Sequence, residues 1–372
     1  MTDRTGRAAL RTARAGRGWS QSDAARHLRA LAHDRGGPDA SPASLKTQLS
    51  RWENGHAVPE PAYRFLLAEL YGRSPEELGL VPEPEQIGAA TADLLRARLA
   101  AAAAVDDVVL GLWVAQLAVA RRLDDELGAA GTADTVRAQT ELLTRTLAHT
   151  VSPARRGAVA AVLSATAALS GRHALDQADT EAAWSHYGTA YSAAQETGSP
   201  SAESIALAGQ AEVLREVGAA GGAVDLLGHP RPDGPPDAQV RLAAALGAAH
   251  AALGDVAAAR RAFAVARRAL PHPDRAHPDA PGAADLDRWH GHALVDLQDP
   301  TAVGLLRSAL SAEPRAARHR AALHADLARA LTISGRPEDA RPHAHTARRL
   351  AERIGSLRIT AQLSPSAGPR GL

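Results

Sequence analysis

A group of polar side chains near the start of the sequence carries hydrogen-bonding groups that can read nucleic-acid bases. Its members are Lys46, Thr47, Gln48, Ser50 and Arg51. Arginine can bond guanine through two parallel hydrogen bonds, glutamine can do the same with adenine, and a threonine methyl group can contact thymine. These side chains can act together only if one rigid element presents them on one side.

The element that carries them is predicted to be a helix from Ser41 through Trp52. Ser41 supplies a capping hydroxyl, and Pro42 follows at the first helical position, where proline is favoured. Gly55 can adopt the left-handed conformation that ends a helix. Leu49 and Trp52 lie three residues apart and define the buried side. The polar side chains then face outward, as they do in a helix that enters the major groove.

Two further helices are predicted before this one. Gln21 begins an amphipathic helix over residues 21–31, and its side chain either solvates or caps that helix or contacts the DNA backbone. Arg7, Arg11 and Arg14 follow one another at spacings of four and three, so they share one side of the first helix. Two interpretations of this arginine side are open: a solvated surface or a set of phosphate contacts.

The motifs in this region resemble the Xre/Cro-repressor family of helix-turn-helix regulators over about residues 7–80. The resemblance is carried by Gly18-Trp19-Ser20-Gln21, Ala24-Ala25, Ser50-Arg51-Trp52-Glu53-Asn54-Gly55 and Pro59. It implies a five-helix head at residues 1–80, with the fourth and fifth helices at 63–71 and 74–80. It also implies that Gln21 and the first half of the 41–52 helix contact DNA, with Lys46, Thr47, Gln48 and Arg51 as base readers.

The turn before the 41–52 helix departs from this pattern. Such turns normally have three or four residues, whereas residues 32–40 predict a turn of about nine. A longer turn changes the tilt of the helix that follows it. The departure therefore puts in doubt which of the polar side chains reach the bases.

The rest of the chain is predicted to form helical repeats. A pattern of small and apolar residues is repeated in copies that begin near residues 164, 204, 240, 283 and 321. The copy at 240 fits the tetratricopeptide signature best: Gly247 permits close helix approach, Phe263 fills the space between the helices, and Gly254 makes the turn. Repeats over residues 164–356 would stack into an α-solenoid with one concave face. Residues 88–163 are predicted to begin or cap it, residues 81–87 to form a linker, and residues 364–372 a disordered tail.

Composition and charge limit the function classes. The 372 residues contain no cysteine, which excludes disulfides, cysteine-ligated zinc and thiol nucleophiles. The net charge is +5 over residues 1–58 and −4 over the remainder, so a basic head is expected to meet an anion. The longest apolar run, residues 99–105, is too short to span a bilayer, and no secretory signal is evident. A soluble, cytoplasmic protein that binds no membrane is the expectation.

Catalytic and metal motifs give no competing prediction. The sequence has no phosphate-binding glycine loop, no G-x-S-x-G elbow and no H-E-x-x-H pattern. His290 and His292, and likewise His343 and His345, are two residues apart and so lie on different sides of a helix. No enzymatic activity, cofactor or metal is therefore expected.

Together these patterns predict an all-α protein that regulates transcription by binding double-stranded DNA in a sequence-specific manner. The candidate DNA-binding residues are Gln21, Lys46, Thr47, Gln48, Ser50, Arg51, Arg11 and Arg14. The repeat body is expected to bind a peptide, a small molecule, a protein partner or a second protomer, with a homodimer as the assembly. The alternative is a protein-interaction scaffold whose head does not bind DNA.

Overall fold

Helices and turns account for all regular structure in the described part of the chain, as the all-α prediction requires. The computed structural model describes residues 5–80, 84–228, 234–271 and 280–364, without the side chains of 5–8 and 84–90. It divides into two compact units, Met1–Ala97 and Arg98–Leu372. The predicted tail lies outside the described residues except for Ser364.

Four helices of the first unit surround one apolar core. They are α1 (Thr5–Gly16), α2 (Gln21–Asp34), α3 (Pro42–Glu53) and α4 (Pro61–Tyr71). The core is centred on Leu28, Leu45, Leu49 and Leu67, none of which is accessible beyond 1%. Each of these leucines comes from α2, α3 or α4, so burying them fixes how the three helices pack.

The predicted fifth helix of this unit is wrong. Residues 75–79 form turns, with hydrogen bonds from the amide of Leu78 to the carbonyl of Ser74 (3.1 Å) and from the amide of Leu80 to that of Pro75 (2.8 Å). Gly79 has a φ of 65°, a left-handed conformation that stops helical propagation after a single turn. Leu78 and Leu80 are nevertheless buried in the core, so the segment packs as the apolar pattern implied.

The predicted linker at residues 81–87 is also too long. Helix α5 (Pro84–Ala103) already includes residues 84–87, because proline is compatible with the first turn of a helix. Residues 81–83 lie outside the described residues. Helix α5 continues across the boundary between the two units at Ala97 and Arg98.

The second unit is a succession of antiparallel helical hairpins. Two helices come first, α6 (Asp107–Leu127) and α7 (Ala129–His149). The hairpins are α8 (Pro153–Asp176) with α9 (Thr180–Thr197), α10 (Pro200–Glu216) with α11 (Ala220–Leu227), α12 (Pro236–Ala252) with α13 (Val256–Arg268), α14 (Ala283–Asp296) with α15 (Ala302–Ser311), and α16 (Ala317–Ile333) with α17 (Pro337–Ile354). A short helix, α18 (Leu357–Gln362), follows. Each predicted repeat start falls within the first helix of one hairpin.

Small residues allow the two helices of a hairpin to approach closely. A β-carbon added to Gly247 in α12 would lie 2.7 Å from the ring of Phe263 in α13, which is closer than a real contact permits. The ring of Tyr187 in α9 packs in the same way against Gly171 of α8 and against Gly209 of α10 in the next hairpin, and Leu306 packs against Gly291. The glycines therefore create the space that the large side chains fill.

The two ends of this unit meet, a contact that the stacking of repeats alone does not predict. Helix α16 contacts α6, α17 contacts α6 and α7, and α18 contacts α8. Gly128, between α6 and α7, packs directly against Ile354 at the end of α17. Helices α6 and α7 therefore do more than cap one end of the hairpins: they join the first hairpin to the last.

One helix of the described residues, Pro153–Asp176, is long and apolar enough to cross a membrane, and 72% of its apolar window is buried inside the protein. The bent pair Thr91–Ala103 and Asp107–Leu127 passes the same test only when its two halves are taken together. Burial among other helices is the ordinary property of a core helix.

Candidate nucleic-acid interface

Helix α3 begins and ends where its sequence signals place it. The hydroxyl of Ser41 accepts a hydrogen bond from the amide of Ser44 (3.2 Å), and Pro42 occupies the first turn. The helix ends at Glu53, and Gly55 follows with a φ of 72°. Its buried side consists of Leu45, Leu49, Trp52 and Glu53.

The outer side of α3 carries the predicted base-reading residues. Lys46, Thr47 and Arg51 are exposed, whereas Gln48 and Ser50 are half-buried at the edges of this side. The Thr47 hydroxyl donates to the carbonyl of Ala43 (3.1 Å), which orients its side chain. The structure thus brings the five polar residues onto one helix, with three of them presented to solvent.

The inner side of α3 ends in a buried carboxylate that the sequence interpretation missed. The side chain of Glu53 is fully buried and accepts hydrogen bonds from two side chains outside its own helix, and Arg11 Nε lies 4.0 Å from its Oε2. Arg14 donates to it from Nε (2.6 Å to Oε1) and from Nη2 (3.0 Å to Oε2). Gln21 donates from Nε2 (2.8 Å to Oε2). A signal was available, because Leu45, Leu49 and Glu53 lie four residues apart and so share one side of the helix.

This geometry replaces the phosphate contact expected of Arg14. The Arg14 guanidinium also donates from Nη1 to the carbonyl of Trp19 (2.7 Å), and its side chain is only 15% exposed. The hydrogen bond with Glu53 outweighs the effect of burial and raises the pKa of Arg14. Arg14 is therefore already paired with a carboxylate inside the protein, and it ties α1 to the end of α3.

Gln21 has a similar role at the start of α2. Its amide group donates to Glu53, so one of its donors is used within the protein and not toward the solvent. Beside it, Ser20 and Asp23 form a reciprocal capping box: Ser20 accepts from the amide of Asp23 (3.1 Å), and Asp23 accepts from the amide of Ser20 (2.9 Å). Gln21 therefore links the capped start of α2 to the end of α3.

Arg11 differs from Arg14 because it remains open to solvent. It donates from Nη2 to the side-chain carbonyl of Asn54 (2.8 Å), while 57% of its side chain is exposed. Asn54 follows α3 directly, so this hydrogen bond places a cationic group beside the C-terminal end of α3. The side chain of Arg7 lies outside the described residues.

The connection between α2 and α3 is shorter than predicted and is anchored elsewhere. Helix α2 continues to Asp34, so the connection comprises residues 35–41. The amide of Gly37 donates back to Ala32 (2.7 Å), and Arg35 pairs with Glu69 of α4 (3.1 Å from Nε). The extra residues therefore lie against α4 and leave the outer side of α3 uncovered.

Three of the histidines considered above as possible metal ligands contact other side chains. His290 stacks on Phe263 at a ring-centroid distance of 4.3 Å, His292 pairs with Asp326 at 2.9 Å, and His343 lies 2.8 Å from His324 through their Nδ1 atoms. Within the described residues no group of three or more acidic or histidine side chains is arranged to hold a metal ion.

The chain matches no protein-family model, no curated protein and no solved structure. What the protein does must therefore be inferred from its own residues and their arrangement.

Proposed function

We propose that this protein is a transcriptional regulator that binds double-stranded DNA in a sequence-specific manner through α3. The observation that supports the proposal is the division of α3 into two sides. One side is held by the apolar core and by the Glu53 contacts, and the other presents Lys46, Thr47 and Arg51 to solvent. A helix anchored in this way can enter the major groove without rearrangement.

The candidate residues have three different roles in this proposal. Lys46, Thr47 and Arg51 read base edges, and the half-buried Gln48 and Ser50 contact bases or sugars at the margin of the same side. Arg11 contacts a phosphate beside the end of α3. Arg14 and Gln21 act through Glu53 and position the helix.

The test compares Arg51→Ala with Arg11→Ala on the full chain. A preferred site is first selected from random duplex DNA with the wild-type protein. Arg51→Ala is expected to cost about 1–3 kcal/mol on that site and to relax preference at one base pair. Arg11→Ala is expected to weaken binding to all DNA sequences alike. It should also reduce the slope of log affinity against log salt concentration by about one unit.

The control is Arg26→Ala, which removes an exposed arginine that lies on α2 and pairs with Asp23 of the same helix. Its binding should remain close to that of the wild type if α3 carries recognition. Selection that yields no preferred sequence would contradict the proposal. So would a variant with alanine at all of Lys46, Thr47, Gln48 and Arg51 that keeps the wild-type preference, and the scaffold alternative would then be favoured.

A further inference from the structure

An apolar stripe runs along the solvent side of α6. Its large members are Val108 (69% exposed), Leu112 (64%), Val119 (55%) and Leu123 (45%). At about 100° per residue these four side chains fall within about 60° of one another around the helix axis, and Ala115 lies about 20° outside this range. The other side of α6 is buried against its own unit through Leu117, Ala120 and Asp124. The stripe is therefore a second apolar side on a helix that is already packed.

The spacing of the stripe is symmetric along the helix. Val108 and Leu123 are equally far from its centre, which lies between Ala115 and Gln116, and so are Leu112 and Val119. A two-fold contact between antiparallel copies of one helix pairs each residue with the one equally far beyond the centre. In such a pair Val108 meets Leu123 of the second copy, and Leu112 meets its Val119. A stripe with this spacing is complementary to itself.

The size of the stripe is that of an interface core. The four large side chains expose roughly 400 Å² together, which is the size of the largest apolar patch on a typical soluble protein, a patch that is often functional. Stable interfaces bury about 800 Å² on each partner. The area beyond that of the stripe would come from a polar rim around it.

We propose that α6 is the homodimer contact of this protein, formed by antiparallel packing of the stripe against the same stripe of a second copy. The dimer deepens the proposed function, because two heads can then read two half-sites of a symmetric operator. The contact itself requires no DNA, so its test is separate: a dimer that binds no DNA would leave the contact standing and overturn only the proposed function.

The first measurement is the mass of the full chain in solution by light scattering and sedimentation, over a range of protein concentrations. The wild type is expected at twice the chain mass of 38.6 kDa. Val119→Glu is expected to be monomeric. The matched control is Val114→Glu, because Val114 is on the same helix, is 54% exposed and lies about 140° around the axis from Val119. A monomeric wild type, or a Val119→Glu variant that remains dimeric, overturns the proposal.

The second measurement tests the antiparallel arrangement. The chain contains no cysteine, so Ala115→Cys introduces one thiol per chain close to the proposed two-fold axis. A short bismaleimide should link two such chains, whereas Val114→Cys should not be linked. Val108→Cys should not be linked, because an antiparallel pair separates the two copies of residue 108 by about 22 Å along the axis, whereas a parallel pair places them side by side. Linking of Val114→Cys but not Ala115→Cys, or linking of Val108→Cys, contradicts this arrangement.

Discussion

At the scale of single residues, Glu53 determines how α3 is held. A carboxylate without solvent access is costly to bury unless it is paired and hydrogen-bonded, and here Arg14 and Gln21 supply donors to both of its oxygens. Burial, and secondly the negative charge of Glu53, raise the pKa of Tyr71 to about 12, so the Tyr71 hydroxyl stays neutral beside the Glu53 carboxylate. The orientation of the solvent-exposed side of α3 thus depends on a contact on its opposite side.

Glu53→Gln is expected to destabilise the first unit by about 3 kcal/mol, because Arg14 then keeps a largely buried charge without its partner. Amide hydrogen exchange of the full chain, measured by mass spectrometry, would localise the loss to α1–α3. Glu69→Gln makes the same chemical change in the exposed Arg35–Glu69 pair and should leave exchange unchanged. Equal effects of the two substitutions would show that the Glu53 contacts do not stabilise the unit.

His173 is a residue whose ionisation opposes folding. Its Nε2 lies 2.9 Å from Asp124 and 3.3 Å from the Thr132 hydroxyl. Burial, with Arg172 as a second cause, lowers the pKa of His173 to about 4, while Asp176 acts in the opposite direction. Asp124 already pairs with Arg172 and Arg318, so it offers no uncompensated charge to a protonated imidazole.

The stability of the second unit is therefore expected to fall on acidification. Above the unfolded-state pKa of about 6.5 the His173 imidazole is neutral in both the folded and the unfolded chain, so its protonation does not reduce the free energy of unfolding. As the pH falls from 6.5 toward 4, the unfolded chain takes up a proton that the folded chain excludes, so unfolding becomes easier. Urea unfolding between pH 7 and 4 measures this slope. His173→Gln should flatten it, and an unchanged slope would remove His173 as a cause.

At the scale of elements, helix packing in the hairpins depends on glycines at the points where a large side chain approaches. Gly247 leaves room for the ring of Phe263, whereas Gly188 in α9 meets nothing closer than the Gln210 amide at 3.9 Å, an ordinary contact. The two glycines have the same backbone entropy cost in a helix, so only the packing differs between them. Their substitution therefore separates helix propensity from helix approach.

Gly247→Ala is expected to destabilise the second unit by about 1–3 kcal/mol, because the added methyl group forces the Phe263 ring or a helix to move. Gly188→Ala is expected to stabilise it by about 0.5–1 kcal/mol through the lower entropy of the unfolded chain. The shift of the urea midpoint, with the slope unchanged, measures both effects. If both substitutions stabilised the unit, the close approach of α12 and α13 would be refuted.

At the scale of the whole second unit, contacts between distant parts of the chain join its two ends. Arg358 of α18 pairs with Asp176 of α8 (3.6 Å), with Glu212 and with Glu216 of α10 (3.8 Å). Burial acts to raise the pKa of Glu212, but Arg358 and then Arg215 and His292 outweigh it and lower that pKa to about 2. Arg318 of α16 adds a buried pair with Asp124 of α6.

Arg358→Ala is expected to loosen this junction by about 1–3 kcal/mol, since three carboxylates lose a shared cation and Glu212 is partly accessible to water. Amide exchange should accelerate both in α18 and at the C-terminal end of α8, although these segments are far apart in sequence. Arg341→Ala, which breaks the exposed Arg341–Glu338 pair, serves as the control. Faster exchange in α18 alone would mean that the ends are not coupled.

The sequence by itself determined the features that depend on near neighbours. Ser41-Pro42 and Gly55 set the bounds of α3, the spacing of Leu49 and Trp52 set its buried side, and Gly247 with Phe263 marked a hairpin. Capping, left-handed termini and helical periodicity act over a few residues, so they can be read from a single chain. The same local signals misled at Ser74-Pro75, where Gly79 ended the segment after one turn.

Only the tertiary structure decided which residues meet across long separations. Arg14 and Gln21 have side chains that suit a DNA phosphate as well as a carboxylate, and burial of Glu53 between them selected the carboxylate. In the same way, helical periodicity predicts that hairpins stack but not how far their superhelix turns. That turn accumulates from small rotations at every packing contact, and here it brings α16–α18 back to α6–α8.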